Sequence, residues 1–236
     1  MAFDANIVHW PTIAAFDAYL QGVPRPSWCR KLCNHNTYKP DETTWHGMTS
    51  MQNLLTFYRD TQQWTSGPHL FLAAHAPNPA DTGIFQLTPI THPGTHAGPC
   101  NADSLGIENV GDFNARPPTP EQYTLLMTVS RLLMAHWGIP PASVVVHNEC
   151  MTGRVCPGKY LTGTQIRADL AQPAPPITKR YRGRRIMISQ KQEGGEPYWG
   201  ELQPGEVVTV DKWYTNGRVH LQDGRGFVLL SDLEAV

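Results

Sequence analysis

At 236 residues, with 40% hydrophobic and 17% charged side chains, the chain is long enough for one sizeable core and a second small one. A formal net charge of −1 argues against a protein that binds nucleic acid through bulk electrostatics. Because the sequence has no long apolar run and no basic, apolar leader, we expect a chain made in the cytoplasm without a transmembrane segment.

The first part of the chain alternates helical and strand patterns. Residues 12–21 place their large apolar side chains on one face and predict a short amphipathic helix. Residues 30–37 are typical of a strand that finishes in polar side chains, so that His35 comes at its end. Apolar side chains three and four apart then predict a helix over residues 47–63.

A hairpin, a carboxylate-bearing strand and a capped helix follow. Residues 69–74 and 83–87 are two strand-like runs joined by turn residues, as in a β-hairpin. Residues 104–111 predict a further strand, which carries Glu108. Thr119 is typical of a helix cap, since proline follows it at the first helical position.

A run of three valines, residues 144–146, predicts a buried strand over residues 143–147 that delivers His147 at its end. Cys156 comes shortly afterwards, before a turn closed by proline and glycine. A last short helix is predicted over residues 163–171. Strands interleaved with helices in this order predict an α/β fold, with a central mixed β-sheet flanked by helices.

The C-terminal part of the chain has a different character. Residues 172–178 are rich in proline and predict a stiff linker between a first domain, residues 1–171, and a second domain, residues 179–236. In the second domain short strand-like runs alternate with glycine-bearing turns and show no helical period. This pattern predicts a small all-β barrel.

Two histidines and a cysteine come at or just after predicted strand ends, namely His35, His147 and Cys156. Imidazole and thiolate are zinc ligands, and three of them leave a fourth position open, which is the catalytic arrangement. The spacing alone is a weak signal, because ten histidines in the chain offer many accidental trios. If the three residues do meet, they would make a site for one Zn²⁺ per chain at the strand ends.

The five cysteines are an odd number, so at least one stays unpaired, and we expect this to be Cys156. Cys29 and Cys33 either pair with each other or are two small core residues of a reduced protein.

Four segments resemble the successive motifs of the zinc-dependent N-acetylmuramoyl-L-alanine amidases of the second amidase class. They are Cys33-Asn34-His35-Asn36-Thr37, Ser104-Leu105-Gly106-Ile107-Glu108, Val144-Val145-Val146-His147 and Cys156-Pro157-Gly158. That family groups phage endolysins of the T7-lysozyme type, cytoplasmic anhydro-muropeptide amidases and peptidoglycan recognition proteins. The resemblance covers about residues 28–170, in the family's order.

The resemblance implies that the two histidines and the cysteine bind zinc and that Glu108 acts on the water that attacks the substrate. The alternative for Glu108 is a solvated carboxylate at a strand end. Arg154 stands two residues before the cysteine, where the family usually places Lys or Thr beside the oxyanion. Its alternative is a surface arginine paired with Glu149.

Four further residues are candidates for substrate binding. His69 follows Pro68, which stands where many members have a tyrosine, and it either lines the groove or is packed. His96 and Asn101 resemble substrate-side residues of some phage members, and otherwise stabilise their loop through hydrogen bonds. His46, beside a tryptophan, either edges a sugar-binding groove or belongs to an exposed loop.

The resemblance implies a hydrolase that cleaves the amide between muramic acid and L-alanine in peptidoglycan. The C-terminal segment resembles a bacterial SH3-type module, so we expect a monomeric phage endolysin, made in the host cytoplasm, that acts on the cell wall after release. The alternatives are a non-catalytic peptidoglycan-binding protein and a cytoplasmic amidase that recycles muropeptides.

Overall fold

The computed structural model describes residues 7–172 and, beyond them, seven β-strands. It divides into two compact units, Met1–Gln172 and Pro173–Val236, which are described separately.

The first unit is built on a six-stranded mixed sheet. Its strands are β1 (Val8–Trp10), β2 (Lys31–Asn36), β3 (Leu70–Ala73), β4 (Gly83–Gln86), β5 (Ser104–Asn109) and β6 (Val144–Val146). They lie in the order β1-β4-β3-β5-β2-β6, and β3, β5, β2 and β6 are parallel neighbours. Because parallel strands end at the same edge, the residues that close β2, β5 and β6 come together there.

The first unit also contains α1 (Ile13–Gln21), α2 (Gly47–Thr56), α3 (Pro120–Trp137), α4 (His147–Cys150) and α5 (Gly163–Ala171). A π-helical segment, Phe57–Thr61, continues α2. Thr119 caps α3 as predicted, since its Oγ1 accepts a hydrogen bond from the N–H of Gln122. Within the described residues, no helix combines the length and the apolar character that a bilayer crossing requires.

The alternation of side chains along the strands fills two cores, one on each face of the sheet. Leu70 and Leu72 of β3 point into the larger core, which contains apolar residues of α1, α3 and α5. Phe71 and Ala73 point the other way and pack against residues of α2. The result is a three-layer arrangement in which both faces of the parallel strands are buried.

The second unit contains one seven-stranded sheet. Its strands are β7 (Ile177–Tyr181), β8 (Ile186–Ser189), β9 (Tyr198–Leu202), β10 (Val207–Trp213), β11 (Arg218–Leu221), β12 (Phe227–Leu229) and β13 (Leu233–Ala235). They pair in the order β13-β7-β10-β11-β12-β8-β9. Residues 173–176 of the predicted linker lie outside the described residues, and the SH3-like barrel remains a prediction.

Two local features differ from the sequence predictions. Strand β1 is not predicted, because three residues are too few to show a period. The strand predicted to deliver His147 ends one residue earlier, at Val146, and His147 begins α4. His147 therefore presents its ring from a short helix that starts at the sheet edge.

Candidate metal centre

Three potential metal donors meet at the carboxyl edge of the sheet. His35 is on β2, His147 begins α4, and Cys156 lies in the loop that follows. Nδ1 of His35 is 3.1 Å from Nδ1 of His147 and 3.7 Å from Sγ of Cys156. All three donor atoms lie within 4.8 Å of one another, so the described residues hold a possible His/His/Cys metal site.

The spacing of these donors fits a tetrahedral zinc ion. Ligands about 2.0 Å (nitrogen) and about 2.3 Å (sulfur) from zinc are separated by about 3.3 Å between nitrogens and about 3.6 Å between sulfur and nitrogen. The observed separations of 3.1 and 3.7 Å are close to both values. Burial raises the pKa of the Cys156 thiol to about 12, so the thiolate that a metal requires is stable there only beside a cation.

Main-chain hydrogen bonds hold Cys156 against β2 and α4. The N–H of Asn36, the last residue of β2, donates to Sγ of Cys156 over 3.5 Å. The N–H of Asn148 donates to the carbonyl oxygen of Cys156 over 3.0 Å. The cysteine is thus oriented by the same two elements that carry the histidines.

His96 fixes the tautomer of His35 through a hydrogen bond to Nε2, the ring nitrogen of His35 that does not face His147. Nε2 of His96 is 3.0 Å from the carbonyl oxygen of Ser104, which can only accept, so the proton of neutral His96 is on Nε2. Nδ1 of His96 then accepts from Nε2 of His35 over 3.0 Å, which leaves Nδ1 of His35 with a free lone pair. Burial lowers the pKa of His96 to about 4, so this ring is neutral at pH 7.

Cys33, His35 and His96 form a second cluster of possible donors, all of them buried. Sγ of Cys33 lies 3.3 Å from Nε2 of His35. In the tautomer just derived, this Nε2 carries a proton and has no lone pair to offer. The second cluster therefore supports the first instead of competing with it.

The packing of His96 depends on the glycine of β5. A Cβ placed on Gly106 would lie 2.6 Å from Cγ of His96, closer than non-bonded carbon atoms approach. Oδ1 of Asn101 accepts hydrogen bonds from the N–H groups of His96 and Ala97 at 2.9 and 2.6 Å. The geometry favours an orienting role for His96 and the loop-stabilising alternative for Asn101, and their contact with substrate stays untested.

Glu108 faces the donors from the neighbouring strand. It pairs in register with His35, and its Oε1 is 3.9 Å from Nδ1 of that histidine. Its Oε2 is buried without a hydrogen-bond partner. Burial raises the pKa of this carboxyl to about 8, as expected for a group that can exchange a proton near neutral pH. This burial disfavours the alternative of a solvated carboxylate.

A known family matches the part of the chain that forms this site. The model of the family described as Amidase_2, N-acetylmuramoyl-L-alanine amidase, matches residues 27–159. The chain belongs to this amidase family. The match includes the three donors and Glu108. No curated protein matches the chain.

Solved structures of amidases and recognition proteins are similar to this amidase domain. The N-acetylmuramoyl-L-alanine amidase LysC from Clostridium intestinale is 25% identical, with a TM-score of 0.48, over 63% of this chain and 87% of LysC. PGRP-SA of Apis mellifera is 15% identical, with a TM-score of 0.50, over 70% of this chain and 88% of its own. Peptidoglycan recognition protein-LE, solved with tracheal cytotoxin, is 16% identical, with a TM-score of 0.50, over 62% of this chain and 83% of its own. The two recognition proteins show that the fold is shared.

Arg154 is exposed in the loop before Cys156. Its charge adds to the effect of burial, the larger cause, in lowering the pKa of His147. Glu149 pairs with Arg167 through two contacts of 2.8 Å. The alternative prediction of an Arg154–Glu149 pair is therefore wrong, and the oxyanion role of Arg154 remains a prediction.

The two remaining predicted substrate contacts have different surroundings. His69 is fully buried; its Nε2 lies 2.9 Å from the carbonyl oxygen of His92, and its Nδ1 accepts from the N–H of Gly106. This favours the packed alternative for His69. His46 is exposed just before α2, where its N–H donates to Oγ of Ser50, and its contact with substrate stays untested.

A disulfide that the sequence did not predict lies beside the site. It joins Cys100, in a short 3-10 helix (Gly98–Ala102) before β5, to Cys150 at the end of α4. Cys29 and Cys33 are buried free thiols, which is the core alternative, and Cys156 is free as predicted. Sγ of Cys33 lies 3.9 Å from Sγ of Cys150. The disulfide thus ties the loop that carries His96 to the helix that carries His147.

Proposed function

We propose that this protein is a zinc-dependent N-acetylmuramoyl-L-alanine amidase that cleaves the bond joining the glycan to the stem peptide of peptidoglycan. The observation that carries this proposal is the convergence of His35, His147 and Cys156 beside the buried carboxyl of Glu108. Membership of the amidase family supports it. The thiol among the donors favours a catalytic member over a protein that only binds peptidoglycan.

In the proposed mechanism each residue has a separate task. Zinc held by the three donors would acidify a water molecule and polarise the substrate carbonyl. Glu108 accepts the proton of the attacking water and delivers it to the L-alanine amine as the carbon–nitrogen bond breaks. The guanidinium of Arg154 attracts the negative charge that develops on the carbonyl oxygen.

Digestion of isolated sacculi by the purified protein tests the proposal. Mass spectrometry should find free stem peptides that begin with L-alanine, and a chelator should stop their release. Glu108→Gln should lower the rate by about 10²–10⁴-fold while zinc binding is retained. Cleaved glycan strands or cleaved cross-bridges would instead contradict the assignment, as would full activity of His35→Ala.

We further propose that the amidase is a lytic enzyme of the endolysin kind and acts as a monomer. In this proposal residues 179–236 form an SH3-like module that holds the enzyme on the wall, and the protein reaches the wall after release from the cytoplasm. The strand-rich second unit is consistent with such a module. A soluble muropeptide preferred over sacculi as substrate would favour the recycling alternative.

A further inference from the structure

Tyr38 combines an unusual backbone with an unusual exposure. It lies two residues beyond β2, and its φ is 57°, in the left-handed region that large side chains rarely adopt. The residue is 59% exposed to solvent. Residues held in this conformation often belong to functional sites, where the surrounding structure imposes the strain.

Neighbouring hydrogen bonds impose the conformation of Tyr38. Its N–H donates to the carbonyl oxygen of Gly111 over 3.0 Å, and the N–H of Gly111 donates to Oγ1 of Thr37 over 3.1 Å. The same Oγ1 donates to the carbonyl oxygen of Pro40. Glycine would satisfy this turn without strain, so the turn itself gives no reason for an aromatic side chain.

Gln63 provides a contrast, because its φ of 56° has an ordinary explanation. It follows the helical segment that continues α2, and the next N–H, that of Trp64, donates back to the carbonyl oxygen of Tyr58 over 3.0 Å. A left-handed residue at a helix end is a common way to close the last turn. Tyr38 ends a strand and has no such role.

The backbone of Tyr38 lies close to the candidate metal centre. Asn36, whose N–H bonds Sγ of Cys156, is two residues away, so the two Cα atoms are at most about 7.6 Å apart. Val155, next to the cysteine, is 68% exposed, and Tyr160 is 41% exposed. Three exposed residues with large apolar groups, Tyr38, Val155 and Tyr160, thus lie within a few residues of the candidate donors in the chain.

The charges near Tyr38 are already engaged. Lys39 pairs with Asp41, and Arg116 pairs with Glu42. Oδ1 of Asp112 accepts main-chain hydrogen bonds. The segment that carries Tyr38, residues 37–42, therefore offers no unpaired cation to the carboxylates of a stem peptide. The exposed Arg154 lies on the cysteine loop and is assigned above to the oxyanion. An aromatic face without free charge suits a neutral ligand with an apolar face.

We propose that Tyr38 is a stacking platform for an N-acetylated amino sugar of the glycan strand next to the cleaved bond. A pyranose ring is uncharged and presents C–H groups on one face, which can pack on the tyrosine ring and remove apolar area from water. The inference rests on the proposed function for the identity of the ligand. The inference adds a reason for the strained backbone of Tyr38: a tyrosine is kept at this position, where glycine would be unstrained, because its ring binds sugar.

Binding of peptide-free glycan strands to the zinc-loaded protein tests the platform without requiring hydrolysis. Tyr38→Gly and Tyr38→Asn remove the ring but tolerate the backbone, and should weaken binding by about five- to tenfold. Tyr38→Phe keeps the ring and should bind as the wild type does. Tyr38→Gly should unfold at the same temperature as the wild type or at a higher one, since the strain is gone.

Gln63→Gly is the matched control, because it relieves the same backbone conformation elsewhere and should leave glycan binding unchanged. Wild-type glycan affinity in both Tyr38→Gly and Tyr38→Asn would overturn the proposal. Loss of affinity for free stem peptide, with glycan binding retained, would also overturn it and assign the ring to the peptide side. Failure of the proposed function would appear separately, as absence of released stem peptides from wild-type protein.

Discussion

His96 is not one of the three donors of the His35/His147/Cys156 cluster, and it acts on that cluster through its hydrogen bond to His35. Its effect is chemical as well as steric, since a different tautomer of His35 would direct a proton toward the metal position. The carbonyl oxygen of Ser104 sets this order, because a carbonyl cannot donate. A main-chain atom of β5 thus determines which nitrogen of a β2 side chain is free to bind.

We expect His96→Ala to weaken zinc binding by about 10–100-fold, because His35 then loses the acceptor that fixes its tautomer. Competition with a chromophoric chelator measures the affinity, and thermal unfolding of the metal-free protein checks the fold. His46→Ala, at an exposed position, is the control and should bind zinc normally. An unchanged affinity of His96→Ala would show that His35 is oriented by other contacts.

At the scale of elements, α4 is a single turn of helix that carries one donor and is anchored at both ends. The disulfide of Cys150 holds its end. Glu149 holds its beginning, since its carboxylate accepts from the N–H of Val146 over 3.2 Å and pairs with Arg167. A helix of this length has little stability of its own, so these anchors keep His147 in place.

Removal of the disulfide should destabilise the first unit. Cys100 and Cys150 are 50 residues apart, and opening a loop of this size costs about 2–4 kcal/mol of unfolding free energy. Urea unfolding of the Cys100→Ser/Cys150→Ser variant measures the loss. Cys29→Ala, which removes a buried free thiol but keeps the disulfide, is the control. Reductant should make the wild type and Cys29→Ala more sensitive to urea and should leave the double variant unchanged.

The Glu149–Arg167 pair should make stability depend on pH on the acidic side. Hydrogen bonds from Arg167 lower the pKa of the Glu149 carboxyl below its usual value. The contribution is therefore present above the unfolded-state pKa and is lost as pH falls through the lower folded-state value. Thermal unfolding from pH 7 downward should show a smaller acid-induced decrease for Arg167→Met than for wild type, and parallel curves would contradict this.

The sequence predicts the elements well where local pattern decides them. The period of α3, the cap at Thr119 and the valine run of β6 depend on neighbours in the chain. The disulfide could not be predicted, because pairing of Cys100 with Cys150 depends on how a loop and a short helix meet in space. The role of His96 was missed for the same reason, since its partner is a carbonyl oxygen that carries no sequence signal.

At the scale of the whole molecule, the amidase domain and the second unit have separate cores. The first unit contains every residue of the candidate site. We therefore expect residues 1–172 alone to cleave soluble muropeptides at a rate close to that of the full chain. Sedimentation with sacculi should show weaker wall binding of this shortened protein, and equal binding would indicate that the second unit has another role.

The order in which the ribosome delivers the donors follows from the topology of the sheet. β2 is made early, yet its two neighbours, β5 and β6, are made much later, and Cys156 comes last of the three donors. Pairings between distant segments form slowly and only when both partners exist. A nascent or truncated chain that stops before residue 156 therefore has no complete donor set. On the proposed mechanism, hydrolytic activity therefore arises only once nearly the whole first unit has been synthesised and folded.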